Sequence, residues 1–109
     1  MIYHITTEKE WADSAAKAEY APAAFEKEGF IHASRLNQLE GVMQRYYSGR
    51  ADLLLLCIEE RKLQCDLIYE PSANKELYPH LYGKLNKDAI AEIVTAFDFQ
   101  KLGLLTRDR

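Results

Sequence analysis

The residues best suited to chemistry in this sequence surround its histidines, of which there are three. His80 lies in "YPHLYG" (residues 78–83), between Tyr78 and Tyr82, and is followed by Gly83, which allows a sharp turn. Imidazole and tyrosine hydroxyls suit the recognition of a ribose or an amide, and tyrosine rings stack on planar heterocycles. An aromatic corner that only closes a sheet accounts for the same residues equally well.

A second histidine, His32, lies in "GFIHAS" (residues 29–34). In an extended strand Phe30, His32 and Ser34 share one face, which puts the imidazole and the hydroxyl roughly 7 Å apart. Strand ends that face a cleft are common places for binding sites. The alternative is a half-buried histidine whose ring bonds to a backbone carbonyl.

Glu70 closes the stretch "LIYE", directly after Tyr69. A carboxylate at a strand end can stabilise a developing positive charge or hold a sugar hydroxyl, although exposed strand-end glutamates without a role are common. We predict that five side chains from the early and late parts of the chain line one cleft about 10 to 12 Å across. They are those of His32, Ser34, Glu70, His80 and Tyr82.

Other kinds of site find little support. The sequence has no P-loop, no glycine-rich dinucleotide fingerprint, no nucleophile elbow and no zinc-binding cysteine pairs. Cys57 lies within the apolar run "LLLLCI", so we expect a buried, unreactive thiol, and its spacing from Cys65 fits no metal site. His4 shares a strand face with Ile2 and Thr6. Because the histidines lack an i, i+4 pairing, we predict no metal site.

Length and composition describe an ordinary globular protein. The 109 residues suit one domain (1–109), and 48% hydrophobic and 28% charged residues exclude a disordered chain. The net charge of −3 and scattered basic residues give no signal for nucleic acid or an anionic membrane. The longest apolar run, residues 53–58, falls far short of the roughly 20 residues of a membrane span. Because residues 1–11 lack a basic region followed by an apolar stretch, we expect no signal peptide. We therefore predict a cytoplasmic protein.

The first half of the chain predicts alternating strands and helices. Residues 2–6 favour a strand, and the capping-box spacing of Thr7 and Glu10 begins a helix that we extend to about Tyr20. Residues 30–34 follow as a strand. Asn37, with a glutamate three residues later, begins a second helix that ends near residue 49, with an apolar stripe at helical spacing. The stripe comprises Leu39, Val42, Met43 and Tyr46.

The second half predicts consecutive strands. Residues 52–59 have the composition of a central strand buried on both faces, and residues 66–70 form a shorter one. Pro79 has no N–H, which predicts an edge strand or a shaped loop around it. The apolar spacing of residues 88–99 suits either a helix or a strand, and we favour a short helical turn followed by a closing strand. We expect residues 101–109 to fray. This order predicts an α+β domain in which two early helices pack on a mostly antiparallel sheet.

The segments "IYHI", "GFIHAS", "DLLLLCIE", "LIYE" and "YPHLYGKLN", in that order, resemble the domain-of-unknown-function 952 family over residues 2–98. That family is grouped with the ADP-ribosyltransferase superfamily. The resemblance implies an ADP-ribosylation-like fold with a strongly curved sheet. It also implies NAD as a substrate, with no further cofactor and a nucleotide as the ligand class.

The resemblance also implies roles for individual residues. His4 falls near a basic position of the superfamily, and Glu70 takes the place of its late acid, which stabilises the positive charge that develops on the ribose. His32 and Ser34 would orient the adenosine ribose or the pyrophosphate. His80 and Tyr82 would close the opposite wall, and Tyr69 would also contact the ligand. With Glu70, His32 and His80 would be the catalytic residues.

The sequence leaves two other functions open, because "GFIHAS" has a histidine where the superfamily has its first serine, and no Glu-x-Glu or Gln-x-Glu motif is present. One is a module that binds a small ligand or a nucleotide without catalysis. The other is a protein-interaction domain that uses residues 78–83, whose partner the sequence does not identify.

Overall fold

The computed structural model describes residues 1–95, which form a small mixed α/β domain with few helices. All strand pairings are antiparallel. The strands are β1 (Ile2–Thr7), β2 (Glu19–Tyr20), β3 (Ile31–His32), β4 (Leu53–Ile58), β5 (Asp66–Pro71), β6 (Leu77–Tyr82), β7 (Leu85–Asn86) and β8 (Ile90–Thr95). The α-helices are α1 (Glu8–Asp13), α2 (Phe25–Glu28) and α3 (Leu39–Tyr46).

The strands form three separate antiparallel sheets. Their strand orders are β1-β4-β8, β2-β7 and β3-β6-β5. The prediction of a central, buried β4 is confirmed, since β4 lies between β1 and β8 and its ends, Leu53 and Ile58, are almost completely buried. The prediction of one strongly curved sheet is wrong. The hydrophobic pattern identifies strands, but it does not say which of them pair.

The first helix begins as predicted and ends much earlier. The Thr7 hydroxyl caps α1 by accepting a hydrogen bond from the Glu10 N–H (3.1 Å). The helix stops at Asp13, and Tyr20, which we had included in it, pairs with Leu85 in the β2–β7 sheet. Tyr20 is completely buried there. Burial of this large ring favours the extended conformation over the local preference for helix.

Pro79 was predicted to exclude β6 from the centre of a sheet, and this prediction is wrong. β6 lies between β3 and β5. The Pro79 carbonyl accepts a hydrogen bond from the Ala33 N–H (3.0 Å), and in an antiparallel pair the missing N–H faces the same neighbour. Because β3 ends at His32, the proline lies where this pairing stops, and the sheet loses only one bond.

Two buried clusters form the core. The larger contains Ile2, Tyr20, Ile31, Ala33, Leu56, Ile58, Leu81, Leu85 and Ala89. The smaller contains Ile5, Leu39, Leu53, Leu55 and Cys57. Val42 and Met43 pack against the smaller cluster as the predicted stripe of α3 requires, whereas Tyr46 is 70% exposed and does not belong to it.

The end of the described chain has the predicted form as far as it can be followed. A 3₁₀ turn at Lys87–Ala89 leads into β8. The predictions for residues 96–99 and for the tail 101–109 lie outside the described residues. Among residues 1–95, no helix has the length and apolar character needed to cross a membrane.

Candidate functional site

The β3-β6-β5 sheet brings both distant histidines to one face. His32 of β3 and His80 of β6 are cross-strand partners. On the other neighbouring strand, β5, the cross-strand partner of His80 is Ile68. Along β6, Pro79 and Leu81 point into the protein, so His80 points to the opposite, open face. Strand alternation thus places Tyr78, His80 and Tyr82 on the same outer surface.

Glu70 connects two of the predicted residues. Its Oε1 accepts hydrogen bonds from His80 Nδ1 (2.7 Å) and from the Tyr82 hydroxyl (2.5 Å). The Tyr82 hydrogen bond, and then that of His80, lower the pKa of the Glu70 carboxyl. The same bond raises the pKa of the Tyr82 phenol. The result is an ionised carboxylate with a fixed orientation, and the Glu70 side chain is 36% exposed.

His32 has a carboxylate partner of its own. Its Nε2 lies 2.8 Å from Glu28 Oε2, at the end of α2. Gly29 ends this helix in the left-handed conformation (φ 83°), which turns the chain directly into β3. The two histidines therefore each hold a glutamate, but the ring of His32 is 59% exposed, whereas that of His80 is only 12% exposed.

Phe30 covers His80. The rings stack with centroids 4.2 Å apart and planes at 22°, and Phe30 also contacts His32 (4.7 Å) and Tyr82 (5.4 Å). Together these residues form an open aromatic and charged surface, which we call the histidine–carboxylate cluster. Its members are Glu28, Phe30, His32, Glu70, His80 and Tyr82.

Three other residues predicted for the site lie elsewhere. His4 is buried, and its nitrogens bond to the His32 carbonyl oxygen (2.5 Å) and the Tyr20 hydroxyl (3.0 Å). Ser34 is buried as well, and its backbone pairs with Tyr3. The chain leaves the strand after His32, so Ser34 does not continue on the same face.

Tyr69 is the third of these residues. It lies on the opposite side of β5 from Glu70, where its hydroxyl is 3.4 Å from Glu60 and Arg35 lies over its ring. Two adjacent strand residues cannot face the same ligand.

The cluster lies on an open face and does not line the large cleft found elsewhere in the molecule. That cleft, of about 920 Å³, lies beside α1 and α2 and is lined by residues such as Glu10, Lys17 and Lys87. Of the five residues predicted to line one cleft, four meet on this open face, and Ser34 does not. Within residues 1–95, no group of three or more histidine, cysteine or acidic side chains is arranged to hold a metal ion.

One cation reaches the edge of the open face. Arg45, in α3, donates a hydrogen bond through Nη2 to the Tyr78 hydroxyl (2.9 Å). Tyr78 alternates with His80 and Tyr82 on β6, and it lies opposite Glu70. The open face thus has acidic groups beside its histidines and a guanidinium at one end.

Sequence reasoning did not identify Glu28 or Arg45. Glu28 is four residues before His32, which is a contact spacing within a helix, but the two residues here belong to a helix and a strand joined by Gly29. No pattern in the sequence signals that turn geometry. Arg45 lies in α3 outside the predicted apolar stripe, and only the packing of α3 brings it to Tyr78.

Both cysteines are free thiols. Cys57 is 7% exposed, as expected from its apolar surroundings, and burial raises its pKa to about 11. Cys65 is partly buried, and burial raises its pKa too. Neither thiol is a member of the histidine–carboxylate cluster.

Comparisons with known proteins give one family model and several solved structures. The model described as "Protein of unknown function (DUF952)" matches residues 5–93. The crystal structure of protein CC0527 from Caulobacter crescentus is similar, with 30% identity and a TM-score of 0.78 over 86% of this chain and 83% of that one. Its solution NMR structure has 30% identity and a TM-score of 0.74 over 86% and 82%.

No curated protein matches the chain at a significant level. None of the matches supports the relationship to ADP-ribosyltransferases that the resemblance implied.

Proposed function

The chain belongs to the family described as proteins of unknown function (DUF952), and we propose a function for it from the site itself: the histidine–carboxylate cluster binds a nucleotide of the NAD type by its nicotinamide ribose. The observation that carries this proposal is the double hydrogen bond to Glu70 from His80 and Tyr82. It fixes an accessible negative charge beside aromatic rings.

Glu70 is suited to a reaction in which positive charge develops. Cleavage of the bond between nicotinamide and ribose releases neutral nicotinamide and makes the ribose cationic until water adds to it, as in glycoside cleavage. A carboxylate that is already ionised and oriented stabilises that charge without reorganisation. The lowered pKa of Glu70 keeps it ionised at neutral pH.

The neighbouring rings supply a surface for a planar ligand. Tyr82 is 38% exposed and contacts Phe30, which in turn contacts His32 on the open face. Exposed aromatic faces stack on heterocycles, and a cationic ring is favoured further by a nearby carboxylate. The nicotinamide ring of NAD is both planar and cationic.

Arg45 supports the choice of a phosphate-bearing ligand. Its guanidinium is held at Tyr78, at the end of the face away from Tyr82. Arginine binds phosphate oxygens in a bidentate manner. In this arrangement the nicotinamide end lies near Glu70 and the pyrophosphate near Arg45.

Calorimetric titration and ¹H–¹⁵N spectra of the histidines test binding. We expect NAD to release or absorb heat and to move the His32 and His80 signals. Arg45→Met should weaken NAD but leave nicotinamide riboside, which has no phosphate, unaffected. Absence of heat together with unmoved histidine signals would remove the proposal.

A turnover assay separates an enzyme from a binding module. If Glu70 stabilises the transition state, Glu70→Gln should lower the rate of nicotinamide release by about 100-fold or more while the Kd for NAD stays nearly the same. If wild-type protein binds NAD and releases no nicotinamide over hours, the site is a binding module.

The third function that the sequence left open, a protein-interaction loop at residues 78–83, has less support. These residues form most of strand β6, and Leu81, which the loop would have to expose, is completely buried. The exposed apolar residue beside His80 is instead Ile68, on β5.

A further inference from the structure

A buried chain of polar side chains leads from the core to the histidine–carboxylate cluster. It consists of Thr6, Tyr20 and His4, which we call the core relay. We propose that the core relay positions His32, so that His4 is a positioning residue and does not contact the ligand. A role of His32 in binding a ligand rests on the proposed function, whereas the positioning of His32 by His4 does not.

The contacts of the core relay are short and buried. The Tyr20 hydroxyl lies 2.7 Å from Thr6 Oγ1 and 3.0 Å from His4 Nε2. His4 Nδ1 lies 2.5 Å from the carbonyl oxygen of His32. Tyr20 is completely buried and His4 is 6% exposed. Buried polar groups of this kind contribute to stability only when each has its partner.

These contacts determine where the proton of His4 resides. A carbonyl oxygen only accepts, so Nδ1 must carry a hydrogen and donate it to His32. Burial lowers the pKa of His4 to about 4, so the ring is neutral at pH 7 and its Nε2, 3.0 Å from the Tyr20 hydroxyl oxygen, carries no hydrogen. The Nδ1–H tautomer is the less common one in free histidine, and here the His32 carbonyl selects it, because that oxygen can only accept.

The bond to His32 acts where the sheet is weakest. β3 has two residues, and its pairing with β6 stops at Pro79. An additional bond to the carbonyl of His32 fixes the last residue of this strand from its inner side. The ring of the same residue meets His80 on the outer side, with centroids 5.3 Å apart. Loss of the inner bond should therefore change the geometry of the outer pair.

The first test uses the unaltered protein without ligand. Long-range ¹H–¹⁵N spectra distinguish a protonated from an unprotonated ring nitrogen. We expect His4 to show a protonated Nδ1 and a bare Nε2 at pH 7. A His4 signal with a protonated Nε2 would overturn the proposal, whether or not any nucleotide binds.

Substitutions then separate positioning from simple support of the core. His4→Phe keeps the ring volume and removes both bonds, so the imidazole signals of His32 and His80 should move. The side-chain amide of His4→Asn occupies the place of Nδ1 and can still donate to the His32 carbonyl, so it should restore the wild-type signals. The control is Ile58→Val, which removes one buried carbon from the core cluster that contains Tyr20 and keeps every hydrogen bond of the core relay.

The proposal fails if His4→Phe folds with unmoved His32 and His80 signals, or if Ile58→Val moves them as much. If His4→Phe does not fold, Tyr20→Phe replaces it. That variant leaves the His32 carbonyl in place, so His4 should keep its Nδ1–H tautomer and its bond to His32. Loss of the Nδ1–H tautomer in Tyr20→Phe would contradict the mechanism. Because these measurements need no ligand, a negative NAD titration would not affect them.

Discussion

The rings of His32 and His80 meet edge to face, with centroids 5.3 Å apart and planes at 81°. The two residues are 48 positions apart in the sequence, and the antiparallel pairing of β3 with β6 makes them direct cross-strand partners. Each imidazole has its own glutamate, Glu28 or Glu70. Replacing one glutamate should therefore change the partner of one histidine only.

The first prediction concerns the hydrogen bond between Glu70 and Tyr82. This bond raises the pKa of the Tyr82 phenol, so Glu70→Gln should lower that pKa toward the ordinary tyrosine value. Ultraviolet pH titration detects the change, and a Glu70→Gln/Tyr82→Phe double variant identifies the tyrosine responsible. If the Tyr82 pKa does not fall, the hydrogen bond between Glu70 and Tyr82 does not form in solution.

The second prediction concerns stability in acid. Burial lowers the pKa of His4 from 6.5 to about 4, so the unfolded chain takes up a proton at a higher pH than the folded one. The contribution of His4 to the free energy of unfolding should be complete above pH 6.5. It should fall by about 3 kcal/mol as the pH drops to 4, with little further loss from His4 below pH 4. Denaturant titrations at several pH values measure it.

The matched control for acid stability is His4→Asn, which does not titrate. The slope between pH 6.5 and 4 should be smaller in this variant, by the contribution of one group. An identical slope in both proteins would show that His4 is accessible to protons in the folded state. Glu70, with its lowered pKa, contributes stability that is lost at still lower pH.

The third prediction concerns a close approach at the end of β6. A Cβ added at Gly83 would lie 2.6 Å from the Cβ of Cys65, although the glycine does not have a positive φ. Gly83→Ala should therefore destabilise the protein by about 1–3 kcal/mol through overpacking. Thermal or denaturant unfolding measures the loss.

A second substitution tests the cause of that loss. Cys65→Gly removes the opposing Cβ, so the Cys65→Gly/Gly83→Ala double variant should be more stable than the sum of the two single effects predicts. Additive effects would mean that the contact with Cys65 is not what requires a glycine.

The fourth prediction concerns the two thiols. Cys57 is buried with a pKa near 11, so at pH 8 it has very little thiolate, whereas Cys65 is only partly buried. A small alkylating reagent should modify Cys65 first in the folded protein. Mass spectrometry after brief exposure measures the order, with Cys65→Ala as the control, which should leave one slowly reacting thiol. Equal rates before unfolding would contradict the burial of Cys57.

Sequence alone determined the features that depend on neighbouring residues. The apolar run at residues 53–58 defines the central strand β4, because only a strand buried on both faces tolerates such a composition. The capping spacing identified Thr7 as the start of α1. The local pattern before β8 favoured a helical turn but also fitted a longer helix, and the structure has a 3₁₀ turn followed by the strand.

Only the tertiary structure decided which side chains share the site. Strand pairing placed His80 opposite His32, and the turn at Gly29 added Glu28, a contact that no spacing rule predicts. The same pairing and turns buried His4 and Ser34. The physical reason is that side-chain direction follows local alternation, whereas proximity depends on the pairing and register of strands far apart in the chain.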